Sequence, residues 1–377
     1  MQKAPAKALF WCVKVQDFGR FRRKQNMRYY AHLGGMIVTA VASKSSRLPE
    51  MSWIRGIAAL IIMLFHYTTC YSHHFSYPWT FKLEGGEGAI SIFFLLSGML
   101  TVLSLKEGDR AGGYLWKRVK RLYPGYWVCI VLTAVVTHLF LPSHAYDAKT
   151  IAVNFTMLQW LFGYANVDGV YWTMQYELRF YLLIAVLLLL RQHKNIKWYA
   201  FLWVIASFVL YQLFFRDGVA RRLVRLPAIW LMADSSAPFI SGIFLACLLR
   251  NPRDWTAWIG LGLAVALAVF SQPANHLTAH LCTAGAGLAA VVLRSLPATG
   301  ERYRAAVDRL DRGPLKGLAW FASISYPFYL LHQYIGWAIL QGIERAGLHQ
   351  MWIILIPFAV CTGLAWMVHH FVEQKVR

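Results

Sequence analysis

The chain has 377 residues, 58% of them hydrophobic and only 15% charged, yet its net charge is +21. Several apolar runs approach the length of a bilayer core, which excludes an ordinary soluble domain and predicts a polytopic membrane protein. Nucleic-acid binding is not implied, because Lys and Arg cluster between the apolar runs, as in cytoplasmic loops facing anionic lipid.

In chain order, the first 48 residues carry ten Lys/Arg and only short apolar patches. They read as a basic cytoplasmic arm, disordered or interfacial, or as an upstream extension with Met27 and Met51 as later starts. No cleavable signal peptide is evident. Apolar windows then predict ten spans, at roughly 53–73, 88–105, 124–142, 173–191, 197–215, 228–249, 255–271, 276–296, 318–340 and 351–371. The run "IAVNFTMLQWLFG" at 151–163 is shorter, carries Asn154 and Gln159, and reads as an interfacial or re-entrant helix. Residues 49–377 are thus expected to be one all-α, membrane-embedded domain with both termini cytoplasmic. In that orientation the inside segments collect 29 Lys/Arg and the outside segments seven, an asymmetry of the kind that sets topology. Four of those seven lie in "RDGVARRLVRLP", a second reading of which is a binding surface for an anionic glycan or lipid head group. The six cysteines are scattered without metal-ligand or redox spacing, so no metal site is expected.

The first span, "RGIAALIIMLFHY", places Arg55 and His66 eleven residues apart. Eleven steps make about three turns plus 20°, so both share a face about 16 Å apart along the axis. Counting helical rise from the cytoplasmic edges puts His66, Glu177, Arg179 and His332 at about the same depth, some 20–23 Å in. Ionisable groups are costly at such depth and mark functional sites by default. The expectation is a polar chamber in the outer half of the membrane, with Arg55 at an inner entrance. Each residue also has a structural reading: His66 as a hydrogen-bonded core histidine, Glu177 and Arg179 as members of buried pairs, and His332 as a partner of Ser325, Tyr326 or Tyr329. Ser97-Gly98, ending "SIFFLLSG", lets a helix or ligand approach closely. Lys117, Arg118, Lys120 and Arg121 in "YLWKRVKRLYPGYW" are either ordinary positive-inside residues or a phosphate clamp.

Taken in order, Arg55 and His66 with ten residues between, "FFLLSG", "KRVKRLYP", "YWTMQYELRFY" and "SISYPFYLLH" resemble the membrane-bound acyltransferase family 3, over about residues 51–373. The resemblance implies O-acyltransfer, most often of acetyl, from cytoplasmic acyl-CoA to a hydroxyl of a glycan or glycan-like acceptor such as surface polysaccharide or lipopolysaccharide. It implies a bacterial inner-membrane location, an acyl-CoA cosubstrate without a resident cofactor, and membrane lipids and a lipid-linked glycan as partners, with homo-oligomerisation left open. It makes Arg55 and His66 the essential pair, assigns Arg118 and Arg121 (with Lys117) to the cosubstrate, and puts Glu177 at the acidic position of the tryptophan–glutamate motif. Here Met174-Gln175-Tyr176 stand between Thr173 and that glutamate. Ser97, Arg179, Tyr326 and His332 are supporting or substrate-binding candidates. The chain ends soon after the last expected span, so no fused extracytoplasmic hydrolase-like domain is expected.

Two mechanisms fit. Neutral His66 could serve as general base on the acceptor hydroxyl, oriented by Glu177, or it could carry the acyl group covalently. The alternative from another class is a transporter or flippase for a glycolipid or small anion. That reading predicts broken helices and repeat symmetry, and neither is visible.

Overall fold

The structure, a computed structural model, describes residues 32–33, 36–37, 48–216, 222–348 and 351–376. It divides into two units, Met1–Arg47 and Leu48–Arg377. In the first, His32–Leu33 (β1) pairs antiparallel with Met36–Ile37 (β2). The rest of the basic arm lies outside the described residues.

Among the described residues of the second unit, the regular structure is all helical. Its helices are α1 (Pro49–Phe65), α2 (Tyr71–Phe75), α3 (Ile90–Ser104), α4 (Ala111–Phe140), α5 (Ala148–Asn154), α6 (Trp172–Leu189), α7 (Ile196–Leu210), α8 (Arg222–Trp230), α9 (Ser236–Arg250), α10 (Trp255–Ser271), α11 (Ala274–Ser295), α12 (Pro297–Arg312), α13 (Lys316–Arg345), α14 (Leu355–Val368) and α15 (Gln374–Val376). Among the described residues, seven helical stretches are long and apolar enough to cross a membrane: Pro49–Phe75, Gly86–Ser104, Ala111–Phe140, Gly169–Leu189, His193–Phe215, Ala274–Ser295 and Met351–Val376. The chain is therefore a multi-pass membrane protein. The other three expected spans coincide with α9 and α10, which are apolar but shorter, and with the 30-residue α13.

Two departures from the sequence reading position the site. The basic run before residue 124 is not a loop but the opening turns of α4, which continues through Pro124 to Phe140. Lys and Arg are good helix formers. The segment expected inside the cell at 294–317 is likewise mostly helix, α12. It is tied down by Trp53 Nε1 donating to Asp311 at 2.9 Å and by a two-pronged Arg294–Glu50 ion pair beside it at 2.7–3.0 Å.

The run at 151–163 forms only α5 and a series of turns, and its polar residues explain why. Asn154, fully buried, donates to the Thr150 and Ala165 carbonyls at 2.9 Å each and accepts from Val167 N at 3.1 Å. Its side chain closes a loop instead of continuing a helix.

The core is built on small residues at helix crossings. A Cβ at Gly98 of α3 would lie 2.2 Å from the Phe239 carbonyl of α9, and one at Gly242 of α9 would lie 2.1 Å from the Leu95 carbonyl of α3. Each helix thus lends the other a glycine, and the backbones touch. On the other side α1 packs along α13, which also borders α4 and α14.

Candidate active site

At its C-terminal end α1 passes directly into a π-helical turn, His66–Cys70. Such turns re-aim side chains and recur at functional sites. His66 is the first residue of the turn, and it faces α13. Its Nδ1 lies 2.9 Å from His332 Nε2, and His332 Nδ1 lies 2.7 Å from the backbone carbonyl of Tyr329. That carbonyl can only accept, so His332 carries its proton on Nδ1. In a neutral ring His332 Nε2 is then an acceptor, so neutral His66 donates to it from Nδ1, and the lone pair of His66 falls on Nε2. His66 Nε2 has no hydrogen-bond partner among the described residues and is not one of the sealed polar atoms. The His66 carbonyl accepts from the indole Nε1 of Trp337 at 2.9 Å, which pins the turn to α13. Rings of His74, Phe75 and His144 lie over that indole, with centroids 4.7–5.6 Å from it.

A separate, partly open pocket of about 770 Å³, its mouth included, lies among α1, α3, α4, α6 and α13. Arg55, Ser97, Arg118, Arg121, Glu177 and Tyr326 all line it. Glu177 is held by Ser97 Oγ at 3.3 Å and by the Tyr181 hydroxyl. The Tyr326 hydroxyl donates to the Leu122 carbonyl at 2.9 Å. Arg118 lies over two tyrosine rings, its guanidinium carbon 4.9 Å from the Tyr114 centroid and 4.7 Å from that of Tyr181. Its NH2 reaches Ser104 Oγ at 3.2 Å, while its buried Nε has no partner. Arg121 shares the cavity lining with Glu177 and Tyr181.

Arg118 and Arg121 also line a second cleft, of about 780 Å³, with Ser104, Asp109, Lys117 and Lys120. The two arginines therefore stand between cleft and cavity and line both. Lys117 pairs with Asp109 at 3.3 Å. The Asp109 carboxyl is held below its ordinary range, first by the Lys106 backbone N–H and then by Lys117.

The expected chamber thus resolves into two neighbouring sites. His66 and His332 are brought together, as are Arg55, Ser97, Arg118, Arg121, Glu177 and Tyr326. The expected His66–Glu177 contact does not form, because α1 presents His66 to α13 while α6 turns Glu177 towards Ser97 of α3. Tyr329 is the shared wall. It lines the cavity, and its own carbonyl anchors His332. Arg179, two residues from Glu177, leaves on another face of α6. It donates to the Gln175 and Ile229 carbonyls and lies over the Tyr176 ring, 4.2 Å from its centroid.

Sequence reasoning missed Asp168. It is fully buried in the loop before α6 and accepts from Val170 N and Tyr334 N, both at 3.2 Å. Burial pushes its carboxyl up to about 7. The Asp-Gly pair in "NVDGVYW" was a turn signal; that the turn docks against α13 was not in the sequence. A Cβ at Gly169 would lie 2.6 Å from Gln333 Oε1, so a side chain there would displace the end of Gln333.

Comparison with known proteins agrees with the motif reading. The model of a family described as an acyltransferase domain matches residues 48–370. Nodulation protein 10 of Rhizobium leguminosarum bv. viciae is 30% identical over 129 residues, which cover 29% of this chain and 35% of that relative. No solved structure matches. The chain belongs to the acyltransferase family whose domain it matches.

Proposed function

We propose that this acyltransferase-family member moves an acyl group, most often acetyl, from cytoplasmic acyl-CoA to a hydroxyl of a glycan or lipid-linked glycan outside. The proposed setting is the bacterial inner membrane, with ten spans, both termini cytoplasmic, residues 49–377 as the catalytic domain and 1–48 as a basic arm. The observation that carries the reading is the pair of arginines: Arg118 and Arg121 line both a basic cleft and a cavity, and Tyr329, also in the cavity lining, anchors the partner of His66.

In this reading the nucleotide phosphates of acyl-CoA lie on Arg118, Arg121 and Lys117, where guanidinium groups make bidentate, charge-assisted bonds. The thioester enters past Arg55. His66 Nε2 takes the proton of the acceptor hydroxyl as its oxygen attacks the thioester carbonyl. The C–O bond forms, the C–S bond breaks, and the proton passes from His66 to the departing CoA sulfur. His332 keeps His66 in the required tautomer, the part assigned by sequence to Glu177. Glu177, beside Arg118 and Arg121, balances charge in the cavity. General-base help of this kind is worth about 10²–10⁴-fold.

The test is acyl-CoA binding and turnover by the purified protein in nanodiscs, wild type beside His66→Ala and Arg118→Ala/Arg121→Ala. Loss of turnover with retained binding in the first, and weakened binding in the second, is the expected result. A wild type that neither binds nor consumes acyl-CoA would return the transporter reading. Labelled acyl-CoA given without acceptor separates the two mechanisms, since only the covalent route leaves label on the protein.

A further inference from the structure

On the face of α6 turned away from the cavity lies a third pocket, of about 840 Å³, lined by Trp160, Asn166, Trp172, Tyr176, Arg179 and Asp234 among others. Its walls are aromatic and already fixed. The Tyr176 hydroxyl donates to Asp234 Oδ2 at 2.8 Å. Arg179 lies between rings, 4.2 Å from the Tyr176 centroid and 4.8 Å from that of Trp160, and Trp160 packs edge-on against Trp230 at 5.5 Å.

The polar groups between those rings keep unused bonding capacity. Asn166 Oδ1 accepts from Gln159 Nε2 and Gln175 Nε2, both at 2.8 Å, an arrangement that leaves its two N–H donors for something else. Only one Asp234 carboxylate oxygen is taken by Tyr176.

A pocket of flat apolar faces interleaved with a carboxylate, an amide and a guanidinium matches one ligand chemistry in particular. A pyranose ring offers an apolar C–H face for an aromatic wall, and a rim of hydroxyls that each donate and accept. Pre-fixed walls lower the ordering cost of binding. We propose that this pocket binds a sugar ring of the acceptor, a conclusion that rests on the glycan reading above and locates a subsite for it.

The ring held here is not the one acylated. Thr173, Met174 and Glu177 of α6 line the cavity, whereas Trp172, Gln175, Tyr176 and Arg179 line this pocket. The two are separated by a helix with side chains, about 10–12 Å across. The pocket therefore grips a distal unit of an oligosaccharide, and affinity should rise with chain length.

The experiment titrates the full chain in nanodiscs with neutral gluco-, galacto- and N-acetylglucosamine oligosaccharides of one to five units, following tryptophan fluorescence. Trp160→Ala and Asp234→Asn are run beside wild type, with thermal melting as the fold control. At least one series is expected to bind, more tightly from three units upward, with affinity at least tenfold weaker in both variants. Binding of none of the series by wild type, or equal binding by both variants, would overturn the proposal. Acyl-CoA turnover read in the same samples keeps the two readings apart. Sugar binding without turnover removes acyl transfer and leaves the pocket; turnover without an effect of the variants removes the pocket and leaves transfer.

Discussion

His66 and His332 lie 2.9 Å apart, Nδ1 to Nε2, and the Tyr329 carbonyl behind His332 gives that contact a direction. With both rings neutral, a chain that begins at a backbone acceptor has only one arrangement of protons. It leaves the outward nitrogen of His66 unprotonated, the state required of a general base and of a nucleophile alike.

His332→Ala should therefore reduce acyl-transfer kcat by less than His66→Ala does, while acyl-CoA affinity holds. His332→Gln, whose amide oxygen accepts from His66 Nδ1, should recover part of the loss. Steady-state kinetics on the three variants decide it. Equal kcat in His332→Ala and wild type would mean that the pair is packing only.

Arg118→Ala and Arg121→Ala should each weaken acyl-CoA binding about 10- to 100-fold, since a hydrogen bond to a charged group contributes roughly 1.5–3 kcal/mol. Arg118→Lys should restore only part of it, because an ammonium group keeps the charge and loses the two-pronged geometry. Calorimetric titration with a non-hydrolysable acyl-CoA analogue reads both. Affinity that is unchanged by either alanine would remove the arginines from the donor site.

Asp168 predicts a pH dependence of stability. Its folded-state carboxyl holds its proton more tightly than the ordinary value of 3.8 and titrates at about 7. This contribution is present in full below about pH 4 and is lost as pH rises through about 7, where the folded state must ionise a buried group. Melting temperature in detergent should fall over that window. Asp168→Asn should start lower, having lost one acceptor oxygen for Val170 N or Tyr334 N, and should lack that slope. An identical pH profile in the variant would assign the slope elsewhere.

Gly98→Ala and Gly242→Ala should each destabilise the protein, by about 1–3 kcal/mol, as overpacking does at tight contacts. The atom in the way is a backbone carbonyl in both cases, so a whole helix must shift. Gly262→Ala, which meets nothing within 4 Å, is the control. Thermal melts of the three variants should separate the first two from the third.

Helix positions were legible because hydrophobic periodicity and length are local properties of the chain. Every expected span has a helix in the structure, although α4 starts thirteen residues early, since a basic amphipathic turn and an apolar turn are equally good helix. Arg118 and Arg121 were legible as a cluster, but their place between cleft and cavity depends on Ser104, Tyr114 and Tyr181 from other parts of the chain. Asp168 and Trp160 gave weaker signals, because a turn Asp-Gly and a loop tryptophan are common wherever they point.

By itself the sequence determined that this is a helical membrane protein of the acyltransferase family, and which costly side chains it carries within its apolar runs. Burying an ionisable group in a span is expensive wherever the helix lands, so the cost is written in the residue and its neighbours. Only the tertiary structure decided partnership. His66 and Glu177, matched in depth, went to different neighbours, His332 on α13 for one and Ser97 and Tyr181 for the other. Rotation of a helix about its axis, set by glycine crossings such as Gly98 with Gly242, fixes which face meets which neighbour, and no count of residues along one chain contains that angle.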